Sequence, residues 1–176
     1  MKNMLIISGS PRKSSISSKV GQWLSNKYHL NHFDLSEYLL PLFDDSVHTA
    51  DNPIVNQFKE KVSKADAYIV ITPEYHGGMS GSLKNSLDFL NKSFFKDKPT
   101  FLISVAGGGK GGINALNQLR MIMRALQADI ESRQLVIDAP IWNEEACINE
   151  LSSLIDTFVK KNSLDKSGYS EDVMGL

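Results

Sequence analysis

With 176 residues, the chain suits one domain around one sizeable core, and its 41% hydrophobic and 22% charged content is ordinary for a globular protein. A formal net charge of −1 provides no diffuse positive field to gather nucleic acid or an anionic membrane surface. Cys147 is the single cysteine, which rules out an internal disulfide and fits a reduced, cytoplasmic setting, and no apolar stretch approaches the roughly 20 residues of a membrane span.

The first element is a short apolar run, Met4 to Ser8, which reads as a buried strand and is far too short for a signal-peptide core. Ile16 to Tyr28 carries Val20, Trp23 and Leu24 at helical spacing. Leu30 to Leu35 reads as a weaker strand leading into a long loop. That loop, Ser36 to Pro53, has no clean periodicity, and loops of such length are usually functional or mobile. Ile54 to Lys64 fits an amphipathic helix, with Val55, Phe58 and Val62 inward.

Ala67 to Ile71 is the next buried strand, with Thr72-Pro73 as its end. Ser82 to Leu90 returns to helix, Thr100 to Ala106 to strand, and Ile113 to Gln127 to helix, with Leu116, Leu119, Met123 and Leu126 inward. Leu135 to Ile137 makes a last strand and Glu144 to Lys161 a last helix. The domain is expected over residues 1–162, and the polar tail 163–176 reads as a disordered segment or a partner-binding arm. Five short strands alternating with helices predict an α/β three-layer sandwich with a parallel sheet covered on both faces. Right-handed crossovers limit it to a few doubly wound layouts, of which the flavodoxin-like order 2-1-3-4-5 places its ligand crevice between strands 1 and 3.

Three unusual loops follow the first, third and fourth strands, where that rule expects them. The first, Gly9 to Ser17, opens a helix and contains several hydroxyls with an arginine and a lysine. Unpaired N–H groups at a helix N-terminus attract phosphate. Ser10, Ser15 and Ser17 add neutral donors and Arg12 a planar fork, enough to hold a phosphomonoester without a metal. A capping serine alone would need no ligand.

The second loop, Thr72 to Gly81, has three glycines in five positions and Tyr75, which suits close approach of a flat ligand; a mobile surface loop is the bland alternative. In the third loop, Gly107-x-Gly109-x-x-Gly112 follows a strand, opens a helix and has Asp129 downstream, like a dinucleotide fingerprint. The fingerprint belongs on a first strand, however, and five glycines in six positions match many patterns by chance. The segment reads as a flexible wall of the same site, with an independent NAD site as the lesser alternative.

His29, His32, His48 and His76 lack metal-ligand spacing, so no metal is expected. Cys147 reads as a buried inert thiol. Arg120 and Arg124 read as a solvated or interface face, and no Gly-x-Ser-x-Gly elbow supports hydrolysis.

At these loops the chain resembles the NADPH-dependent FMN reductase family of flavodoxin-like proteins, and within it the bacterial FMN-dependent NADPH azoreductases. The stretches that carry the likeness are Gly9-Ser-Pro-Arg-Lys with Ser15, Pro73-Glu-Tyr-His-Gly-Gly-Met-Ser-Gly-Ser-Leu-Lys-Asn-Ser-Leu-Asp88, and Ala106-Gly-Gly-Gly-Lys-Gly-Gly-Ile-Asn-Ala-Leu116. The resemblance implies FMN and NADPH (or NADH) as cofactors. It implies that Ser10, Arg12, Ser15 and Ser17 surround the FMN phosphate. Pro73, Glu74, Tyr75, His76 and Gly78 would border the ring and ribityl chain, with Ala106, Gly107, Gly108 and Gly109 against the ring. Two departures are Ser17, where the family often has Asn, and His76-Gly77-Gly78, where it has Asn-x-Ser.

The activity implied is ping-pong hydride transfer from NAD(P)H through FMN to an azo compound, a quinone or free flavin. The cofactor carries the hard chemistry, so no side chain is expected to be an indispensable acid or base, and Tyr75 and His76 serve positioning. A homodimer or homotetramer is implied, with Leu39, Leu40, Leu42 and Phe43 as contributors to its interface. The alternatives are a reductase using FMN as an exchangeable substrate, a flavodoxin-like electron carrier, and a flavin-free nicotinamide dehydrogenase built on the third loop.

Overall fold

A computed structural model describes residues 3–109 and 111–163. In chain order, β1 (Met4–Ser8), α1 (Ile16–Tyr28) and β2 (Asn31–Asp34) come first, followed by α2 (Val47–Ala50) and α3 (Pro53–Ser63). Next are β3 (Ala67–Tyr75), β4 (Gly78–Met79), α4 (Gly81–Asp88), α5 (Lys92–Phe95) and β5 (Pro99–Ala106). The chain then forms α6 (Ile113–Ala125), β6 (Asp129–Ile130), β7 (Leu135–Asp138) and α7 (Glu145–Ser163). Among the described residues no helix is long and apolar enough to cross a membrane. Helix α7 runs two residues past the predicted end at Lys161, and residues 164–176 of the expected tail lie outside the described residues.

The sheet has the order β2-β1-β3-β5, with β6 and β7 both on the far side of β5. All pairings are parallel except the β3–β4 hairpin. This is the predicted doubly wound sandwich with two differences in strand count. The expected fifth strand is broken in two: Asp129–Ile130 pair with Pro99–Thr100, and Leu135–Asp138 pair with Ile103–Ala106. After the Glu131 N–H, which still donates to the Thr100 carbonyl (2.9 Å), residues 132–134 leave the ladder. Arg120 of α6, expected on a solvated face, pins that excursion by donating to Gln134 Oε1 (2.7 Å) and to the Glu131 carbonyl (3.3 Å). The second difference is the β3–β4 hairpin itself.

Strand side chains alternate between two cores, as a period of two requires. Leu5, Ile7, Tyr68, Val70 and Leu102 pack with Phe58, Val62, Leu83, Leu87, Leu116 and Leu119 of α3, α4 and α6. Met4, Ile6, Ile69, Ile71, Phe101 and Ile103 pack with Val20, Leu24, Leu151, Ile155 and Phe158 of α1 and α7. At about 25 cal/mol per Å² of apolar surface, full burial of each such side chain contributes about 1.5–3 kcal/mol before entropy is counted.

Gly21 sets how closely α1 approaches the sheet, because a Cβ there would lie 2.2 Å from Ser8 Oγ and 2.6 Å from His32 Nε2. The loop after β2 is more ordered than its composition suggests. Asn85 of α4 donates to the Pro41 carbonyl (2.8 Å) and accepts from the Phe43 N–H (2.8 Å), and Phe43 stacks edge-on against Phe89. Further on, Asp44 accepts from Thr49 Oγ1 (2.6 Å) and the Ser46 N–H (2.9 Å), which holds its carboxyl down to about 2 and leads into α2.

Candidate functional site

The carboxyl ends of β1, β3 and β5 open onto a crevice of about 300 Å³. Clefts of similar size occur elsewhere, including one of about 250 Å³ beside Leu35, Leu39 and Leu42, so size does not single this one out. Position does: β1 lies between β2 and β3, and the winding reverses there. One wall is Arg12, Ser14, Ser15, Ile16 and Ser17; the other is Pro73, Glu74, Tyr75, Val105, Ala106 and Gly107, with Ala139 at the edge.

Three contacts tie the first loop to β3 and the second loop. The Gly9 N–H donates to the Ile71 carbonyl (2.7 Å), and Ser80 Oγ donates to the Gly9 carbonyl. Ser10 Oγ lies 3.0 Å from the Tyr75 hydroxyl. A Cβ on Gly9 would sit 2.8 Å from Leu83 Cβ, so only glycine lets the chain pass between β3 and α4.

The serines of the first loop are not equivalent. Ser15 is the N-cap of α1, accepting the Ser18 N–H at 3.0 Å. Ser18 Oγ donates to the Asp34 carboxylate (3.0 Å), so its 2.7 Å contact with Ser15 Oγ consumes the Ser15 proton. Ser10 is buried, accepts the Arg12 N–H (3.2 Å) and shares a proton with Tyr75. Ser17 differs: its Oγ is buried and has no hydrogen-bond partner among the described residues. An unsatisfied buried hydroxyl costs about 1–3 kcal/mol. Ser17 lines the crevice in the first turn of α1, and so does Arg12, which is exposed and has no carboxylate in ion-pair range among the described residues. A free hydroxyl, a helix N-terminus and an uncommitted guanidinium are groups whose chemistry suits an anion.

Below this loop, Ser8 Oγ donates to the Ser17 carbonyl (3.1 Å) and lies 2.8 Å from His32 Nε2. Burial pushes the His32 imidazole down from its ordinary value, Asp34 opposes this, and Lys61 adds to it. Ser8, Ser18, Asp34 and Ser80 support the site without lining the crevice, and of these only Ser80 falls within a motif visible in the sequence.

Strand β3 continues through Pro73 to Tyr75 and does not end at Thr72-Pro73 as expected. Pro73 shares the parity of Ile71, whose carbonyl faces β1, and β1 stops opposite Ile71. The missing proline donor therefore faces the side that β1 has vacated, where proline is tolerated. His76 and Gly77, with φ of 51° and 75°, form the two-residue turn from Tyr75 to Gly78. The turn carries His76 outward, exposed, and seats Gly78 in the hairpin against Gln118, so these two stand outside the crevice lining.

In the third loop, Ala106 and Gly107 line the crevice, whereas Gly108 and Gly109 are exposed and Gly108 faces Pro140. Lys110 lies outside the described residues. Cys147 is half-buried, with its thiol pushed up by burial and by Glu150, Asp138 and Glu144.

The family profile described as NADPH-dependent FMN reductase matches residues 2–139. An NADPH azoreductase of Bacillus sp. (strain OY1-2) is 36% identical over 168 residues, covering 96% of this chain and 94% of that protein. An FMN-dependent NADPH-azoreductase of Staphylococcus aureus (strain USA300) is 39% identical over 138 residues, covering 72% and 71% respectively. Among solved structures, an NADH:FMN oxidoreductase superposes with a TM-score of 0.76 at 21% identity, covering 96% of this chain and 92% of its own. FerB, a flavoenzyme NAD(P)H:(acceptor) oxidoreductase from Paracoccus denitrificans, superposes with a TM-score of 0.72 at 23% identity, covering 92% and 94%. These two structural likenesses bear on the fold alone.

Proposed function

The chain belongs to the NADPH-dependent FMN reductase family, and from that premise we propose that it is an FMN-dependent NADPH oxidoreductase that reduces small flat acceptors: azo compounds, quinones or free flavin. The observation that carries this reading is the buried Ser17 hydroxyl, without a partner among the described residues, at a crevice that Arg12 and the first turn of α1 also line. A phosphomonoester satisfies all three at once, and each charge-assisted bond is worth about 1.5–3 kcal/mol.

In this proposal Ser17, Arg12 and the first N–H groups of α1 hold the FMN phosphate. Ser10 and Ser15 shape that end, since the hydroxyl of Ser10 is engaged with Tyr75 and that of Ser15 with Ser18. Pro73, Tyr75, Ala106 and Gly107 would border the ring. When bound, FMN supplies two-electron hydride chemistry. The protein orients the reactants, and backbone N–H groups of the loops favour negative charge at the ring edge. No side chain is required as a proton donor. Nicotinamide and acceptor use the same opening in turn, which gives ping-pong kinetics.

A cytoplasmic setting belongs to the same proposal, since the lone cysteine suits a reducing compartment. So does a homodimer or homotetramer, with Leu39 (55% exposed), Leu42 (79%) and Phe43 (37%) offering an apolar edge.

The test is reconstitution with FMN, followed by anaerobic stopped-flow mixing with NADPH or NADH and then with an azo dye. Bleaching of the flavin band by a nicotinamide and its return with the dye support the proposal. Flavin that stays oxidised with both nicotinamides contradicts it, and very slow bleaching points to an electron carrier.

A further inference from the structure

Helix α6 starts at a residue that cannot cap it. Its N-cap is Gly112, with φ of 95° and no side-chain hydrogen bond. No side chain fits there either: a Cβ would lie 2.6 Å from both Ser104 Oγ and Val136 Cγ1. The first N–H groups of a helix have no partner within it, and the third is the usual target of a capping side chain. Here the third is Ala115, and its N–H donates to Glu74 Oε2 at 3.1 Å. The cap comes from the end of β3, across 41 residues of chain.

The second carboxylate oxygen is also turned toward the loop, because a Cβ on Gly111 would lie 3.4 Å from Glu74 Oε1. One further bond ties the same two pieces: the Met79 N–H of β4 donates to Gln118 Oε1 of α6 at 3.0 Å. Glu74 itself lines the crevice beside Tyr75 and Gly107. A carboxylate at a helix N-terminus is electrostatically favoured as well as hydrogen-bonded.

We propose that Glu74 is a positioning residue whose carboxylate, from the neighbouring end of β3, caps α6 and thereby sets the glycine wall (107–109, 111–112) against the ring of the bound flavin. The proposal rests on the FMN reading above. Left to itself, that wall is poorly determined: Gly108, Gly109 and Gly112 all have positive φ, and its described residues are all glycine. With one oxygen bonded to α6 and the other against Gly111, Glu74 acts on the flavin through the loop.

The test uses the full chain with Glu74→Ala and Glu74→Gln, and reads two quantities. The first is hydrogen exchange of the Ala115 amide, with and without FMN. The second is the dissociation constant of FMN and, separately, of riboflavin. Loss of an N-cap predicts that Glu74→Ala speeds Ala115 exchange about tenfold in both states. It also weakens FMN and riboflavin by one common factor of about tenfold, because only the ring end is disturbed. Glu74→Gln keeps an oxygen acceptor and stays within about threefold of the parent in both readouts.

Unchanged exchange in Glu74→Ala overturns the cap. Faster exchange with both flavin affinities intact overturns the positioning role, as does a loss confined to FMN. Glu74→Gln behaving like Glu74→Ala overturns capping as the mechanism. A parent protein that binds neither flavin fails the FMN reading instead, and the exchange result still decides the cap.

Discussion

The Tyr75 hydroxyl lies 3.0 Å from Ser10 Oγ, joining two loops separated by 65 residues of chain. Ser10 is fully buried and its oxygen also accepts the Arg12 N–H, so one phenol fixes the loop after β1 to the end of β3. Tyr75→Phe removes that contact without changing the ring. The apo protein is expected to lose about 1 kcal/mol in urea unfolding, the usual net worth of a hydrogen bond. An unchanged midpoint would contradict the linkage.

Glycines of the third loop are expected to differ sharply when replaced. Gly112→Ala places a Cβ 2.6 Å from Ser104 Oγ and Val136 Cγ1 at φ of 95°. Strain and overpacking together cost more than about 2 kcal/mol. Gly107 has open space and no positive φ, so Gly107→Ala stays within about 0.5 kcal/mol of the parent. Chemical denaturation of both variants checks the ranking.

Acid sensitivity is expected to involve His32. Burial holds its folded-state pKa below the ordinary value, with Asp34 opposing and Lys61 adding to the shift. The unfolded chain therefore binds the proton more readily, and this contribution is full above about pH 6.5 and is lost as pH falls through that value towards the folded-state pKa. Urea midpoints at about pH 7.5 and about pH 5.5 should differ less in His32→Gln than in the parent. An equal difference in both proteins would remove His32 from the account.

Loop anchoring by Asn85 gives a local prediction. Asn85→Ala removes both hydrogen bonds to the segment Pro41–Phe43, worth about 1–3 kcal/mol together. Proteolysis between Leu39 and Asp45 should then accelerate roughly tenfold, since cleavage follows local opening. Global unfolding should move little.

The two cores and the crevice were legible in the sequence because burial imposes a period of two on strands such as Ala67–Ile71 and of 3.6 on helices such as Ile113–Ala125. Both loops that bound the crevice were placed by the same periodicity, since they begin where it stops. The hairpin Tyr75–Gly78 was not, because a histidine at positive φ gives no turn signal as clear as asparagine would. The break in the last strand has no local signal either, for it depends on Arg120 reaching Gln134 from a different element. Among the serines, composition could not separate Ser15, whose proton is spent on Ser18, from Ser17, whose hydroxyl has no partner among the described residues. That distinction depends on Ser18 and Asp34, and only three dimensions show it.

The most direct measurement compares Ser17→Ala with the parent in two titrations, FMN and riboflavin, alongside apo-protein unfolding. FMN affinity is expected to fall about tenfold to a hundredfold, the loss of one charge-assisted hydrogen bond. Riboflavin affinity should be unchanged, and the apo protein should be as stable or more stable, since a buried hydroxyl without a partner is gone. If both flavins weaken alike, or if neither distinguishes the variant from the parent, the phosphate does not sit beside Ser17 and the proposed site is wrong.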